Sequence, residues 1–284
     1  MNGTRIFTGF DLADRIQQRV RDRIAALGRS PRCVLLMDSG NAGAAAYAQR
    51  LAGSAASVGI EMMASQYAEE VEALRRQLQG CTDAGPVDAV MTLYPLPSRI
   101  DRHEVAQLIG PERDVDGLHP LNAGNVVLGA ETSRSSATAK ACILVLSEIA
   151  GALKGLRVVV VGASPIVGRP LALMLLDEEA TVTVCHAATI DLAAHTREAD
   201  VVISATGVAG LIRADHIREG SMLIDVGIVR TEKGLVGDID LESVSGKAAI
   251  VTHVPDGVGP VTTACLLESI VSAAEDQTKA LQRN

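Results

Sequence analysis

The stretch LRVVVVGASPIVGRPLALMLLD, from Leu156 to Asp177, decides the fold. Its four valines predict a buried strand, Gly162 permits a tight turn, and the apolar spacing from about Ile166 predicts a helix. A strand, a glycine turn and a helix in this order are typical of a dinucleotide-binding βα unit, in which N–H groups at the helix start face a pyrophosphate. Gly168 permits close packing of the helix against the strand. Because the glycine spacing differs from GxGxxG, a tight turn without a ligand stays open as the alternative.

Strands and helices alternate on both sides of this unit. The predicted strands are 33–37, 60–65, 87–93, 158–161, 182–185, 201–204 and 222–226, and the predicted helices are 11–27, 42–58, 70–78, 101–109, 139–149 and 262–282. This alternation predicts an α/β protein whose parallel sheets are flanked by helices. We predict two lobes, an N-terminal α/β substrate lobe of residues 1–138 with 262–284 and a Rossmann-like nucleotide-binding lobe of residues 139–261. The last helix is expected to return to the first lobe.

Composition narrows the class of protein. The 284 residues are enough for two domains, and 48% hydrophobic with 21% charged residues is typical of a globular chain. A net charge of −8 disfavours nucleic acid and an anionic membrane surface as partners. With only 2% aromatic residues, the chain has little with which to stack on bases, and its core is expected to be aliphatic.

The cysteines and histidines predict neither disulfides nor a metal site. Five cysteines are scattered without a CxxC pair, which favours a reducing cytoplasm. The six histidines never stand four residues apart or in an HxH pair, so no metal-ligand set is predicted. The opening MNGTRIFTGFDLADRI interrupts its apolar positions with charges, which predicts neither a secretory signal nor a transmembrane span. We expect a cytoplasmic protein.

The residues that follow the strand at 182–185 bear on the choice of nucleotide. An acid at this point would hold the ribose hydroxyls of NAD, and a cation would hold the extra phosphate of NADP. The chain has Cys185, His186, Ala187, Ala188 and Thr189 here, with neither an acid nor a cation. The predicted cofactor is NADP or NAD, and the sequence leaves the choice open.

Two further stretches combine carboxylates with permissive glycines. They are DVDGLHPLN, from Asp114 to Asn122, and THVPDGVGPVTT, from Thr252 to Thr263, and both are predicted to be loops. A carboxylate such as Asp116 can accept N–H bonds from a flat heterocycle. An aspartate that only stabilises a turn or caps a helix is the alternative.

Seven strings along nearly the whole chain carry a resemblance: GASPIVGRP, TVTVCH, IDVGI, LVGDID, VPDGVGPVTT, RDVDGLHP and YPLP. They are similar to strings at corresponding places in the bifunctional methylenetetrahydrofolate dehydrogenase/cyclohydrolase family. The resemblance implies a two-lobed α/β homodimer in which a tetrahydrofolate derivative and NAD(P) meet in a cleft. Function is carried over residue by residue, because a fold alone does not define it.

The resemblance implies a set of site residues. Tyr47 and Asp116 are the predicted catalytic residues, Tyr47 as the cleft tyrosine and Asp116 as the residue that holds the pterin. The predicted cofactor-binding residues are Gly162, Ala163, Ser164, Ile166, Val167, Gly207 and Ile228. The predicted substrate-binding residues are Leu51, Leu93, Tyr94, Pro255, Asp256, Gly257 and Pro260, and Gly259 stands in the same folate-side loop.

The chain departs from the family pattern at positions implied in the hydrolysis. The family helix has Y-x-x-x-K, whereas Tyr47 is followed four residues later, on the same helix face, by Leu51. The family glutamine that assists this lysine, in VQLPLP, corresponds to Leu93, and the first glycine of VPGGVGP corresponds to Asp256. Leucine cannot move a proton, whereas activation of water requires a proton to be moved.

The resemblance and these departures together imply an oxidoreductase of one-carbon metabolism. We expect NAD(P)-dependent oxidation of 5,10-methylenetetrahydrofolate to 5,10-methenyltetrahydrofolate, since the cofactor carries the hydride chemistry. Cyclohydrolase activity is expected to be weak or absent. Two alternatives stay open: an NAD(P)-dependent oxidoreductase of the same fold that acts on a different C–N or imine substrate, and a catalytically silent homologue.

Overall fold

A computed structural model describes residues 3–82, 85–130, 134–232 and 234–283. Within them the strands are β1 (Arg5–Phe7), β2 (Arg32–Met37), β3 (Glu61–Gln66), β4 (Cys81–Thr82), β5 (Gly85–Pro86), β6 (Ala89–Thr92), β7 (Arg157–Val161), β8 (Thr181–Cys185), β9 (Val201–Ser204), β10 (Met222–Asp225), β11 (Val229–Thr231), β12 (Gly234–Val236) and β13 (Ile250–Thr252). The helices are α1 (Phe10–Leu27), α2 (Ala42–Val58), α3 (Val71–Leu78), α4 (Arg102–Ile109), α5 (Pro120–Val127), α6 (Ala137–Ala150), α7 (Gly168–Asp177), α8 (Leu192–Thr196), α9 (Leu241–Val244) and α10 (Val258–Arg283). The elements form two compact units, called here the six-stranded unit (residues 3–13 and 138–262) and the three-stranded unit (residues 14–137 and 263–283).

The six-stranded unit contains a parallel sheet in the order β1-β13-β10-β9-β7-β8. The four valines of β7 are buried, and β7 has β8 on one side and β9 on the other. The direction of strand succession therefore reverses at β7. In open sheets of this kind, ligands bind beyond the carboxyl ends of the strands at the point of reversal. The α/β class and the Rossmann-like lobe predicted from the sequence are confirmed.

The three-stranded unit contains a parallel sheet in the order β3-β2-β6. The central strand β2 is buried along Cys33–Leu36, and apolar side chains of β6, α3 and α4 pack with it in one cluster. Residues 263–283 of α10 belong to this unit, which confirms that the last helix returns to the first lobe. Glu275 of α10 accepts two hydrogen bonds from the Arg23 guanidinium of α1, with N–O distances of 3.0 and 2.9 Å.

Some element limits differ from the prediction for local reasons. The helix predicted from about Ile166 begins at Gly168, because the preceding residues form a turn in which Ser164 Oγ accepts the N–H of Val167. Both stretches that we predicted as loops contain the start of a helix. Pro120 begins α5, and the His119 ring caps it by accepting the N–H of Leu121. The helix predicted at 262–282 begins at Val258, inside the second stretch.

The compact units also differ from the predicted lobes at the amino terminus. Strand β1, for which we predicted no element, pairs in parallel with β13 at the edge of the larger sheet. Residues 3–13 therefore group with the six-stranded unit. The lobe limits drawn from the sequence stay a prediction.

Candidate nucleotide and substrate sites

The turn after β7 accepts only glycine at two positions. Gly162 has φ of +113°, and a Cβ there would lie 2.4 Å from the carbonyl oxygen of Ala205. A Cβ on Gly168 would lie 1.7 Å from the carbonyl oxygen of Gly162. Both close approaches keep the start of α7 tight against the strand end, as the sequence predicted from its glycines.

A cavity of about 500 Å³ opens at this turn, beyond the carboxyl ends of β7, β8 and β9. It is lined by three segments: Gly162, Ala163 and Ser164 at the turn, His186, Ala187 and Thr189 after β8, and Ala205, Thr206 and Val208 after β9. Its position at the strand reversal and its glycine-lined entrance fit part of a dinucleotide. NAD or NADP would be held here by the turn and by the residues that follow β8 and β9.

The other predicted cofactor residues lie in neighbouring turns. Ile166 and Val167 belong to the turn before α7, and Gly207, with φ of +70°, stands between Thr206 and Val208 of the cavity wall. Ile228 is 54% exposed and lies between β10 and β11. Their contact with a nucleotide stays a prediction.

Asp238 positions one wall of the nucleotide cavity. It is fully buried, and its Oδ2 accepts bonds from Ser204 Oγ (2.9 Å), the Thr206 N–H (2.6 Å) and Thr206 Oγ1 (2.8 Å). We did not predict this role. No local pattern signals it, because the partners are separated by more than 30 residues and meet only when β9 and the segment after β12 pack together.

Two Asp–Gly pairs interlock in the same unit, within the strings IDVGI and LVGDID. A Cβ on Gly227 would lie 1.9 Å from the Asp238 carboxylate, and a Cβ on Gly237 would lie 1.9 Å from the Asp225 carboxylate. Asp225 accepts the N–H groups of Asp238 and Ile239, each at 2.9 Å. Burial, together with the negative charge of Asp238, raises the pKa of Asp225 to about 7.

The three-stranded unit holds a separate polar cluster around Asp116. The neighbouring Asp114 is buried and accepts the N–H groups of Leu118 (3.2 Å) and His119 (2.8 Å) and the side-chain amide of Asn122 (2.9 Å). Asp116 is only half-buried, and its carboxylate has no hydrogen-bond or ion-pair partner within the described residues. Loss of hydration, with a smaller contribution from the charge of Asp114, raises the pKa of Asp116 to about 7.

All three tyrosines of the chain lie within electrostatic reach of Asp116. Burial raises the pKa of Tyr47, Tyr67 and Tyr94, and the negative charge of Asp116 adds to the rise at each. Tyr67 is buried and donates to the carbonyl oxygen of Leu93 at 2.7 Å. The charge of Asp116 thus reaches the predicted Tyr47 and Tyr94, and it also reaches Tyr67, which sequence reasoning missed.

Two leucines of the predicted substrate-binding set, Leu51 and Leu93, lie in this unit. Leu51 is 2% exposed and stands one turn after Tyr47 on α2. Leu93 is half-buried directly after β6, where its N–H donates to the carbonyl of Leu36 at 2.8 Å. Tyr94 is 47% exposed. Whether these side chains touch a substrate stays a prediction.

The predicted folate-side loop lies in the six-stranded unit. Pro255, Asp256 and Gly257 precede α10, and Pro260 stands in its first turn. The Asp256 carboxylate lies 3.4 Å from Nδ1 of His253, and both side chains are about two-fifths exposed. A Cβ on Gly257 would lie 2.7 Å from the carbonyl oxygen of His253, so this turn also requires glycine.

Within the described residues no group of three or more His, Cys, Asp or Glu side chains is placed to hold a metal ion. Over the same ranges, no helix combines the length and the apolar character that crossing a bilayer requires.

The parallel sheet with its glycine turn defines a dinucleotide-binding α/β protein. Two family models match the chain, the tetrahydrofolate dehydrogenase/cyclohydrolase catalytic domain over residues 7–116 and the NAD(P)-binding domain of the same family over residues 136–278. The chain therefore belongs to the tetrahydrofolate dehydrogenase/cyclohydrolase family, and its cofactor is NAD or NADP.

Individual relatives agree with this assignment. The bifunctional protein FolD of Nocardia farcinica is 41% identical over 274 residues, which cover 94% of this chain and 96% of the relative. The crystal structure of the bifunctional FolD methylenetetrahydrofolate dehydrogenase/cyclohydrolase from Campylobacter jejuni has a TM-score of 0.90 at 34% identity, covering 96% of this chain and 99% of that one. The Trypanosoma brucei enzyme, complexed with NADP cofactor and inhibitor, has a TM-score of 0.87 at 31% identity, covering 98% of this chain and all of that one.

Proposed function

We propose that this protein oxidises 5,10-methylenetetrahydrofolate to 5,10-methenyltetrahydrofolate with NAD or NADP, and hydrolyses the product weakly or not at all. The observation that carries the proposal is the half-buried Asp116 carboxylate, which has no partner within the described residues and whose charge reaches three tyrosines, in a chain that also has the glycine-turn cavity. A carboxylate of this kind can accept two N–H bonds from a pterin.

The dehydrogenase step does not require a side chain to transfer a proton. Bound NAD(P) supplies the hydride acceptor, and one hydride leaves the methylene carbon to give the methenyl cation. Asp116 would hold the pterin, and Tyr47 would contact the same substrate, so that the reacting carbon is oriented. Neither residue must transfer a proton for this oxidation.

Hydrolysis of the methenyl bridge is different, because a water must be activated and a proton moved. The family lysine that serves this step corresponds to Leu51, and its glutamine partner corresponds to Leu93. Since Leu51 is buried and apolar, it leaves no titratable group one turn after Tyr47. This supports a dehydrogenase without an efficient cyclohydrolase.

The assay follows nicotinamide absorbance with methylenetetrahydrofolate and either nucleotide, and then the decay of methenyltetrahydrofolate. We expect nucleotide reduction and no enzyme-dependent decay. Asp116→Ala should lose at least tenfold in kcat/KM without any loss of thermal stability, which excludes a contaminating dehydrogenase. Fast decay with the wild-type protein would contradict the loss of hydrolysis.

Restoring the two side chains gives a second test of the hydrolytic deficit. Leu51→Lys combined with Leu93→Gln is expected to accelerate decay at least tenfold over wild type, and Leu51→Met with Leu93→Gln is the control without an amine. A double variant that folds, binds folate and still fails to hydrolyse would show that further positions caused the loss.

A different C–N or imine substrate is the second candidate. It is favoured by the apolar side chains of Leu51 and Leu93 and by the extra carboxylate of Asp256. A folded protein that binds nucleotide but reduces none with methylenetetrahydrofolate would favour this candidate. A chain that binds neither folate nor nucleotide would favour a silent homologue.

We also propose that the protein is a cytoplasmic homodimer. Strand β8 forms one edge of the six-stranded sheet, and its side chains at Thr181, Thr183 and Val184 are exposed. An exposed edge with an apolar side chain can pair with a second copy of the same strand. The five cysteines are all free thiols, which supports a reducing compartment.

A further inference from the structure

The turn after β8 forms the wall of the nucleotide cavity at which folds of this class distinguish NAD from NADP. Thr189 closes the turn, because its N–H donates to the His186 carbonyl at 2.8 Å and its Oγ1 accepts the His186 N–H at 2.9 Å. The side chains of His186, Ala187 and Thr189 line the cavity. The turn is therefore fixed by its own hydrogen bonds and presents three defined side chains.

The hydrogen bonds of this turn determine what His186 offers a ligand. Nδ1 of His186 accepts the N–H of Ala188 at 3.2 Å. With Nδ1 accepting this bond, the ring proton lies on Nε2, and Nε2–H is the donor that the ring presents to a ligand. Thr189 Oγ1 accepts one bond from the His186 N–H, and the same hydroxyl also bonds the Cys185 thiol, so His186 is the donor that the turn offers.

A ribose hydroxyl and a ribose phosphate make different demands on such a wall. A hydroxyl needs only neutral hydrogen-bond partners. A phosphate monoester carries nearly two negative charges near pH 7 and binds tightly where Arg or Lys forms an ion pair with it. The two residues between His186 and Thr189 are alanines, and the described residues that line the cavity include no Arg or Lys. The chain as a whole is negative, with a net charge of −8, which adds to the repulsion.

One cation does lie at the glycine turn. Nε of Arg169 donates to the carbonyl oxygen of Ala163 at 3.0 Å, which holds the guanidinium at the first turn of α7. The bond ties Arg169 to the segment that faces a pyrophosphate, and both nucleotides share that group. Arg169 is not among the residues that line the cavity, and a contact with the shared pyrophosphate would not distinguish the two nucleotides.

We propose that the turn at residues 186–189 selects NAD over NADP, with His186 as the residue that binds the adenosine ribose. The proposal rests on the proposed function only in taking a nicotinamide dinucleotide as the ligand.

The test is calorimetric titration of the purified protein with NAD or NADP, without any folate. We expect NAD to bind at least tenfold more tightly than NADP. His186→Ala should weaken NAD binding several-fold and reduce the ratio of NAD affinity to NADP affinity. Equal or tighter binding of NADP by the wild-type protein would overturn the proposal. If Arg169→Gln then lost this NADP binding, Arg169 would be identified as the phosphate ligand.

A substitution at the neighbouring alanine tests the same wall by adding a charge. Ala187→Arg is expected to tighten NADP binding at least tenfold, with a steeper dependence on salt, while NAD binding changes less than threefold. Ala187→Gln is the uncharged control of similar length. If Ala187→Arg retains the wild-type melting temperature and leaves NADP binding unchanged, residues 186–189 do not face the ribose and the proposal is wrong. Because binding is read without folate, this outcome is independent of whether methylenetetrahydrofolate is the substrate.

Discussion

Asp114 and Asp116 stand two positions apart, yet their surroundings give them different tasks. Asp114 is buried with three N–H donors from residues that follow it in the chain. Asp116 has no such donors within the described residues and keeps its carboxylate available, with its charge reaching the three tyrosines. The first carboxylate organises the loop, and the second is left for a ligand.

The raised pKa of Asp116 predicts a pH dependence of substrate use. Only the ionised carboxylate can accept two N–H bonds from a pterin, and with a pKa of about 7 the free protein gains this form as the pH rises through 7. We expect kcat/KM for methylenetetrahydrofolate to rise between pH 6 and 8. Asp116→Asn should lower kcat/KM and abolish the rise, and an unchanged profile in this variant would assign the titration to another group.

The same group predicts how stability varies with pH. A carboxyl whose pKa is raised on folding binds its proton more tightly in the native state, so its contribution to stability is present below about pH 4 and is lost as the pH rises to about 7. We expect Asp116→Asn to be more stable than the wild-type protein by about 1–2 kcal/mol at pH 8, and by less at pH 5. Urea denaturation followed by circular dichroism at both pH values measures the difference.

At the scale of an element, the segment from Asp114 to α5 depends on one side chain. Asp114→Ala removes the acceptor for three N–H groups, and we expect the free energy of unfolding to fall by about 3 kcal/mol, because bonds to a buried carboxylate are among the stronger ones. Asp116→Ala is the matched control, since it deletes the same group two residues away without losing such bonds. Equal losses in the two variants would contradict the assigned role of Asp114.

Elements built on a strong local pattern could be predicted, and those built on distant contacts could not. The valine run of β7 and the glycines at 162 and 168 specify their own turn, and both were found as expected. Strand β1 has only three residues and is stabilised by pairing with β13 more than 240 positions away. Asp238 and Tyr67 were missed for the same reason, because their partners are distant in sequence.

At the scale of the whole molecule, the exposed edge strand predicts self-association. Val184 is 40% exposed on β8, and a charge at this position on an edge strand opposes pairing of two copies. We expect the wild-type protein to be a dimer by light scattering and Val184→Lys to be a monomer with a similar melting temperature. Val184→Thr, which keeps a β-branched side chain, should remain dimeric. A dimeric Val184→Lys would place the interface elsewhere.

The interlocked pairs Asp225 with Gly237 and Asp238 with Gly227 have a consequence for how this chain can diverge. Each glycine makes room for the carboxylate of the other segment, so an exchange at one position collides with a residue that is itself fixed by hydrogen bonds. None of the four can change without a compensating change in its counterpart. Single-site libraries should yield no folded variants at these positions. A transplant of both segments from one relative preserves the fit between each glycine and the carboxylate opposite it. A redesign of the nucleotide cavity therefore has to replace the segment of Asp225 and Gly227 together with the segment of Gly237 and Asp238.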